Sequence, residues 1–271
     1  MVDLVPASGL LVPFAVPVGL AVGSFLNVVI ARVPAGESVV RPRSRCPACG
    51  SPIAARDNVP LLGWLMLRGR ARCCGARIAV RYPAVEAVTA LAFAGVTGWA
   101  LHRPGTAWAL PAFLYLAAVS IALAVIDQDT FRLPFTIVAP AYPVSAVLLG
   151  AASWAAHDRT AAVRALAGGA VLWGLYRLLH LVHPAGMGYG DVRLAGVLGM
   201  YLGWLGWSAL AVGAFLGFAV GGVGGAVVLA TRRSGLRTAI PYGPYLIAGA
   251  WLGVLAGAPV AHWYLRTSGL A

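Results

Sequence analysis

The sequence predicts an all-α polytopic membrane protein with about eight transmembrane helices and one Arg/Cys-rich cytoplasmic loop between helices 1 and 2. Composition is the first reason: of 271 residues, 60% are hydrophobic and 10% charged, against about 25% charged in soluble globular domains. So few charges cannot clothe a core of this size in a polar shell, which excludes a water-soluble globule, and the high apolar content excludes disorder. The second reason is that the apolar residues form long continuous runs. Backbone in a bilayer must satisfy itself, leaving helices or a closed barrel, and a barrel would show short alternating strands instead. The third is the distribution of charge. All twenty basic residues are arginine, and nine of them (Arg41, Arg43, Arg45, Arg56, Arg68, Arg70, Arg72, Arg77 and Arg81) crowd between the first two apolar runs, the pattern of a cytoplasmic loop.

Runs long enough to span, at roughly 17 to 25 residues, lie at 9–31, 84–101, 108–126, 135–155, 163–183, 192–208, 209–230 and 244–263. The first is long and has no small-residue cleavage site after it, so it reads as a retained helix rather than a signal peptide. The division between the sixth and seventh rests on Gly203, Trp204, Gly206 and Trp207, a short break with interfacial aromatics. With the Arg-rich loop cytoplasmic, parity places 127–134, 184–191 and 231–243 on the same side and both termini outside. Arg232, Arg233 and Arg237 in the last of these agree. Gly213, Gly217, Gly221 and Gly225 share one face of the seventh helix, a groove for a neighbouring helix. The expected organisation is a first transmembrane helix at 1–33, a Cys/Arg-rich loop domain at 34–83 and a seven-helix transmembrane domain at 84–271. No recognisable motif accompanies the basic loop, so nucleic acid is not an expected partner; the lipid bilayer is.

Among eight carboxylates, Asp3, Glu37 and Asp158 lie in terminal or loop contexts where a solvated charge needs no explanation. Asp127 directly follows the apolar run ending at Ile126, and Asp191 closes Gly186-Met187-Gly188-Tyr189-Gly190 and opens the sixth helix. Asp191 alone would pass for a helix cap and Asp127 alone for a charged helix end. Parity brings both to one membrane face, however, and ionisable groups there are expensive enough to suggest function. Two close carboxylates share a proton, so one serves as base and the other as acid, as in aspartic proteases. Gly188 and Gly190 would let backbone approach an extended substrate closely and support Asp191. Neither a Gly-x-Ser-x-Gly elbow nor a phosphate-binding loop is present.

All four cysteines, Cys46, Cys49, Cys73 and Cys74, fall in the basic loop. Cys46-Pro-Ala-Cys49 has the spacing of half a zinc site. Adjacent Cys73 and Cys74 should point apart, so Cys46, Cys49 and Cys74 are the expected ligands and Cys73 is a doubtful one; a loop folded without metal is the alternative. His180 and His183 lack an acidic or thiol partner nearby in sequence and read as interfacial side chains.

Gly23-Ser24-Phe25-Leu26-Asn27, the cysteine loop, Asp57-Asn58-Val59-Pro60, Arg81-Tyr82-Pro83-Ala84-Val85-Glu86, Ile126-Asp127-Gln128-Asp129, Gly188-Tyr189-Gly190-Asp191 and Ile240-Pro241-Tyr242-Gly243-Pro244-Tyr245 together resemble the type IV prepilin peptidase family, in the family's order and over nearly the whole chain. The resemblance implies a membrane aspartic endopeptidase that cuts the basic leader from type IV prepilins or pseudopilins, with Asp127 and Asp191 catalytic. It also implies methylation of the new amino terminus using S-adenosylmethionine, and residence in the cytoplasmic membrane with the catalytic aspartates at its cytoplasmic side. The chain departs from the family's pattern at Ala71, where a third cysteine is expected, at Phe135, where an acidic residue often follows Leu-Pro, and at Arg193, where lysine is common. A proton-relaying transporter is disfavoured because no inverted repeat or broken helix pair is evident. A purely structural assembly protein would not need both aspartates. The oligomeric state and the particular substrates are not encoded in these motifs.

Overall fold

The computed structural model describes residues 5–184, 187–231 and 241–269. Arg232, Arg233, Arg237, Asp3 and Ile240 lie outside the described residues. The described residues contain nine α-helices: α1 (Val5–Arg32), α2 (Leu62–Met66), α3 (Arg81–His102), α4 (Leu110–Thr130), α5 (Phe135–Ala155), α6 (Arg159–Val182), α7 (Tyr189–Leu205), α8 (Trp207–Thr231) and α9 (Gly243–Thr267). The eight long ones coincide with the eight apolar runs, and the described residues include no β-strand beyond two isolated bridges. Seven are long and apolar enough to cross a membrane. The eighth, α7, has 17 residues and a length of about 25 Å, at the lower limit of a span. The break between α7 and α8 falls at Gly206, whose φ of 142° only glycine adopts readily.

Two compact units divide the chain, Met1–Ala122 and Leu123–Ala271. The first therefore includes α3, which the sequence reading groups with the later helices. Its basis is a close crossing of α1 and α3. A side chain at Gly19 would meet the Ala90 backbone at 2.6 Å, and one at Gly23 would meet that of Glu86 at 2.7 Å, so the two glycines let the helix axes approach. Between α1 and α3 the chain makes two similar turns, closed by bridges between Arg45 and Pro52 and between Arg70 and Arg77. The Gly50 amide donates to the Cys46 carbonyl in the first, and the Gly75 amide to the Ala71 carbonyl in the second, both at 2.8 Å. The Trp64 indole of α2 donates to the Ile78 carbonyl at 3.2 Å and fastens α2 to the second turn.

The second unit is organised around α7, whose residues from Leu194 to Trp204 are all buried. Glycines again set the spacing. Gly168 of α6 sits against Gly203 of α7, and Gly253 of α9 against Gly213 of α8; Gly217 meets Gly249, while Gly221 packs on the Tyr242 ring. The predicted groove on α8 thus receives α9. Several polar groups in this core are paired, as apolar surroundings favour. The Trp204 indole donates to Ser153 Oγ at 2.9 Å, Ser145 and Tyr201 hydroxyls lie 3.0 Å apart, and the Tyr142 hydroxyl donates to the Arg193 carbonyl at 2.6 Å. All three link α5 to α7.

A Cβ on Gly253 would fall 2.6 Å from the Gly213 Cα, so Gly253→Leu should force α8 and α9 apart. Overpacking of this kind costs about 1–3 kcal/mol or more. Thermal unfolding of the detergent-solubilised variant should show a midpoint several degrees lower, whereas Gly95→Leu, which meets nothing within 4 Å at its Cβ, should leave it nearly unchanged.

Candidate active site and cysteine cluster

Asp127 lies in the last turn of α4 and Asp191 in the first turn of α7, both within the second unit and only 4% and 7% exposed. The helix α4 runs through Asp127 to Thr130 and ends where Phe131 takes a left-handed φ of 54°. Leu133 and Pro134 then turn the chain into α5. Asp127 Oδ2 accepts the Gly243 amide at 2.9 Å. The start of α9 is thereby brought to the end of α4, because an amide in the first turn of a helix has no partner within the helix.

Asp191 is the third residue of α7, not its cap. Gly188 occupies the cap position, and Asp191 Oδ2 folds back to accept its amide at 3.1 Å. A carboxylate in this position also faces the positive end of the helix dipole. The two carboxylates are near enough for their charges to interact directly. Each spends one oxygen on a backbone amide, and the other accepts no hydrogen bond among the described residues, leaving two oxygens for chemistry.

The Leu133 side chain wedges between the two anchoring loops. An added Cβ would meet it at 2.9 Å from Gly190 and at 3.3 Å from Gly243. Gly190 is thus a close-packing position, and Gly188 supplies the amide that holds Asp191. Tyr176 of α6, fully buried, and Tyr242 lie close enough to Asp191 to feel its charge. The sequence reading assigns no role to Gly243, Tyr176 or Tyr242. For Gly243 and Tyr242 the available signal was Pro241-Tyr242-Gly243-Pro244, a helix start of unusual composition inside a membrane segment; Tyr176 is one aromatic on an apolar helix and carried none.

His180 Nδ1 lies 2.8 Å from the Met187 carbonyl, and its ring packs at 5.6 Å from that of Tyr189, a structural role close to the one expected. Arg193 and Phe135, the two departures noted above, meet each other. The Arg193 guanidinium lies 4.4 Å from the Phe135 ring centre and 4.5 Å from that of Tyr189, a cation–π sandwich between the starts of α5 and α7.

In the first unit, the four cysteine sulfurs lie within 4.8 Å of one another and could hold a metal ion. Cys73 and Cys74 do not diverge as expected from their adjacency. Their sulfurs are 3.8 Å apart, with Cys49 Sγ to Cys73 Sγ at 3.3 Å and Cys46 Sγ to Cys74 Sγ at 3.7 Å. The matched turns explain how. Ala71 occupies in the second turn the place that Cys46 holds in the first, so the ligand missing at 71 is replaced by Cys73 reaching in from the tip.

Residues 18–100 match the bacterial Peptidase A24 N-terminal domain, and residues 114–228 match the type IV leader peptidase family. A prepilin leader peptidase/N-methyltransferase of Aeromonas salmonicida is 37% identical over 274 residues, covering 92% of this chain and 91% of its own length. Those of Pseudomonas aeruginosa and Myxococcus xanthus are 34% identical over 275 residues and 41% over 230, covering 93% and 83% of this chain and 92% and 65% of their own lengths. No solved structure matches the chain at a significant level. Fold and site define a multi-pass membrane protein with a buried pair of aspartates. The chain belongs to the prepilin leader peptidase/N-methyltransferase family, whose peptidase is of the aspartic type.

The cysteines differ in acidity. The Ser51 hydroxyl and amide pull the Cys49 thiol down to about 6, whereas its neighbour Cys49 and desolvation push Cys73 up to about 12. The thiolate is the nucleophile, so in metal-free protein at pH 7 iodoacetamide should alkylate Cys49 well before Cys73. Its rate should climb as pH rises through about 6, a profile that peptide mass spectrometry would resolve.

Proposed function

We propose that Asp127 and Asp191 form the dyad of a leader peptidase that cuts the basic leader from type IV prepilins or pseudopilins at the cytoplasmic side of the cytoplasmic membrane. The observation that carries this reading is the pair of buried carboxylates, each anchored through one oxygen by a backbone amide and each with its other oxygen unspent. In that arrangement one carboxylate takes a proton from water while the other, protonated, donates to the scissile carbonyl. The roles of acid and base belong to the pair rather than to either residue alone. Gly188 and Gly190 keep side chains away from the start of α7, supporting Asp191 and leaving room for extended substrate backbone. The Arg-rich loop favours a cytoplasmic orientation by the positive-inside rule.

The family pairs cleavage with N-methylation, and we assign the second activity to this chain as well. S-adenosylmethionine, when bound, supplies a methyl group carried on a sulfonium sulfur. The cysteine cluster fits a structural zinc ion. A tetrahedral zinc–thiolate site has sulfur–sulfur edges of roughly 3.8 Å, and the cysteine pairs lie at 3.3, 3.7 and 3.8 Å. With all four positions filled by Cys46, Cys49, Cys73 and Cys74, such a site is closed, and its role is to cross-link the two turns.

Mass spectrometry of a pilin precursor incubated with the purified protein tests the peptidase. Loss of the leader is expected with the unaltered chain. Asp127→Asn and Asp191→Asn should each lower the rate by about 10³-fold or more while leaving the fold intact. Full cleavage by either variant would overturn the dyad. A milder effect is expected of Gly243→Ala, whose Cβ would fall 2.8 Å from Asp127 Oδ2. Shifting a catalytic group by a fraction of an ångström to 1 Å lowers rates by up to about 10²-fold, so kcat should drop with little change in KM.

A further inference from the structure

The buried face of α6 includes Ala161, Ala165, Gly168, Leu172 and Tyr176, residues three or four apart that share one side of a helix. Gly168 meets Gly203 of α7 and Leu172 meets Gly199, so the two helices run antiparallel. The next turn of α6 brings Tyr176 to the end of α7 that carries Asp191. From the other side α8 fixes the ring. Phe218 stacks on it with centroids 5.1 Å and planes 17° apart, and a Cβ on Gly217 would lie 3.7 Å from the Tyr176 hydroxyl oxygen.

This hydroxyl beside the dyad has no partner. Tyr176 is 0% exposed, and its oxygen is one of two buried side-chain polar atoms that make no hydrogen bond among the described residues. The other is Arg164 Nε, toward the opposite end of α6, and that guanidinium is bonded through its remaining nitrogens to Thr160 and to the Trp204 carbonyl. An unmet hydroxyl in an apolar interior is expensive, whereas phenylalanine would fill the same space without that cost.

The neighbouring groups do not relieve it. Tyr242 is adjacent without bonding to it. The Tyr242 hydroxyl donates to the Gly217 carbonyl at 3.5 Å, longer than the roughly 2.5–3.0 Å of an effective O–H···O bond. Asp191 is near enough for its charge to act on both hydroxyls, and one of its oxygens accepts no hydrogen bond among the described residues. An unspent donor and an unspent acceptor thus lie in one buried region, on the Asp191 side of the pair.

We propose that Tyr176 is a further positioning residue of the peptidase, a donor held in reserve for negative charge on Asp191. When charge falls on Asp191 as protons move between the carboxylates and the substrate, the Tyr176 hydroxyl turns to the oxygen that the Gly188 amide leaves free. No covalent bond changes in this step: the hydroxyl keeps its proton, and the carboxylate gains a charge-assisted hydrogen bond. A donor that is already desolvated and carried on a fixed ring does this without reorganising solvent, which is the source of its effect on rate. The assignment rests on the reading of Asp127 and Asp191 as the catalytic pair.

Steady-state cleavage of a pilin precursor by the full-length, detergent-solubilised protein tests it, with thermal unfolding followed on the same samples. Tyr176→Phe keeps the ring on Phe218 and removes only the oxygen. Its kcat should fall about 10- to 100-fold, the worth of one hydrogen bond to a charged group, with KM within about twofold of the parent. The unfolding midpoint should stay the same or rise, because an unmet polar atom has left the interior. Tyr264→Phe, at an exposed tyrosine near the end of α9, should change none of these. A kcat within about twofold of the parent overturns the assignment, and so does a loss of rate that comes with a lower midpoint or lies in KM alone, since packing or binding would then account for Tyr176. In those cases, with the unaltered protein cleaving the precursor, only the role of Tyr176 falls. If the unaltered protein leaves the precursor intact, the peptidase reading falls with it.

Discussion

A carboxylate removed from water must find hydrogen-bond donors inside the protein, and the second unit is arranged to supply them from backbone amides. Asp127 and Asp191 are both buried, and neither has an arginine bonded to it among the described residues. Each is instead held by one amide at a helix start, Gly243 for α9 and Gly188 for α7. Helix starts are the one place in a bundle where amides are free of internal partners. Pairing each aspartate with one therefore satisfies both groups without a counter-ion that would quench the carboxylate's basicity. It also fixes three helices, α4, α7 and α9, relative to the dyad.

Glycine makes those positions reachable. At Gly243 and Gly188 a side chain would crowd the carboxylate that the amide holds, and at Gly190 it would strike Leu133. The same residue type sets the crossings of α6 on α7 and α8 on α9. In lipid, helices gain little from burying apolar surface against one another, and close backbone contact takes over as the source of packing energy. The fully buried α7 needs such contact along its length.

The first unit uses different means. Two matched turns, an ion pair between Asp57 and Arg72, and a carboxylate that holds a strained turn fold a segment with little apolar content of its own. The cysteine cluster shows how such a segment tolerates change. A ligand absent at Ala71 is replaced two residues later, since a turn tip can swing a side chain inward where a helix position could not.

The membrane helices were legible in the sequence because span length and apolarity follow from bilayer thickness, and the eight long helices fall on the eight apolar runs. Even the short break at Gly206 carried a signal, as glycine is the residue a φ of 142° demands. The two aspartates stood out because ionisable groups are rare in such segments. Other features depended on contacts between residues far apart in the chain. That Cys73 joins its neighbours reflects turn geometry, which adjacency alone misjudges. That Gly243 anchors Asp127, 116 residues away, and that Asn27 and Glu86 line a common cavity, follow from helix crossings no local pattern encodes. The sequence by itself determined which segments leave water and which charges go with them, because transfer from water is a property of composition. Only the tertiary structure decided which amide meets which carboxylate, because hydrogen bonds depend on distance and direction.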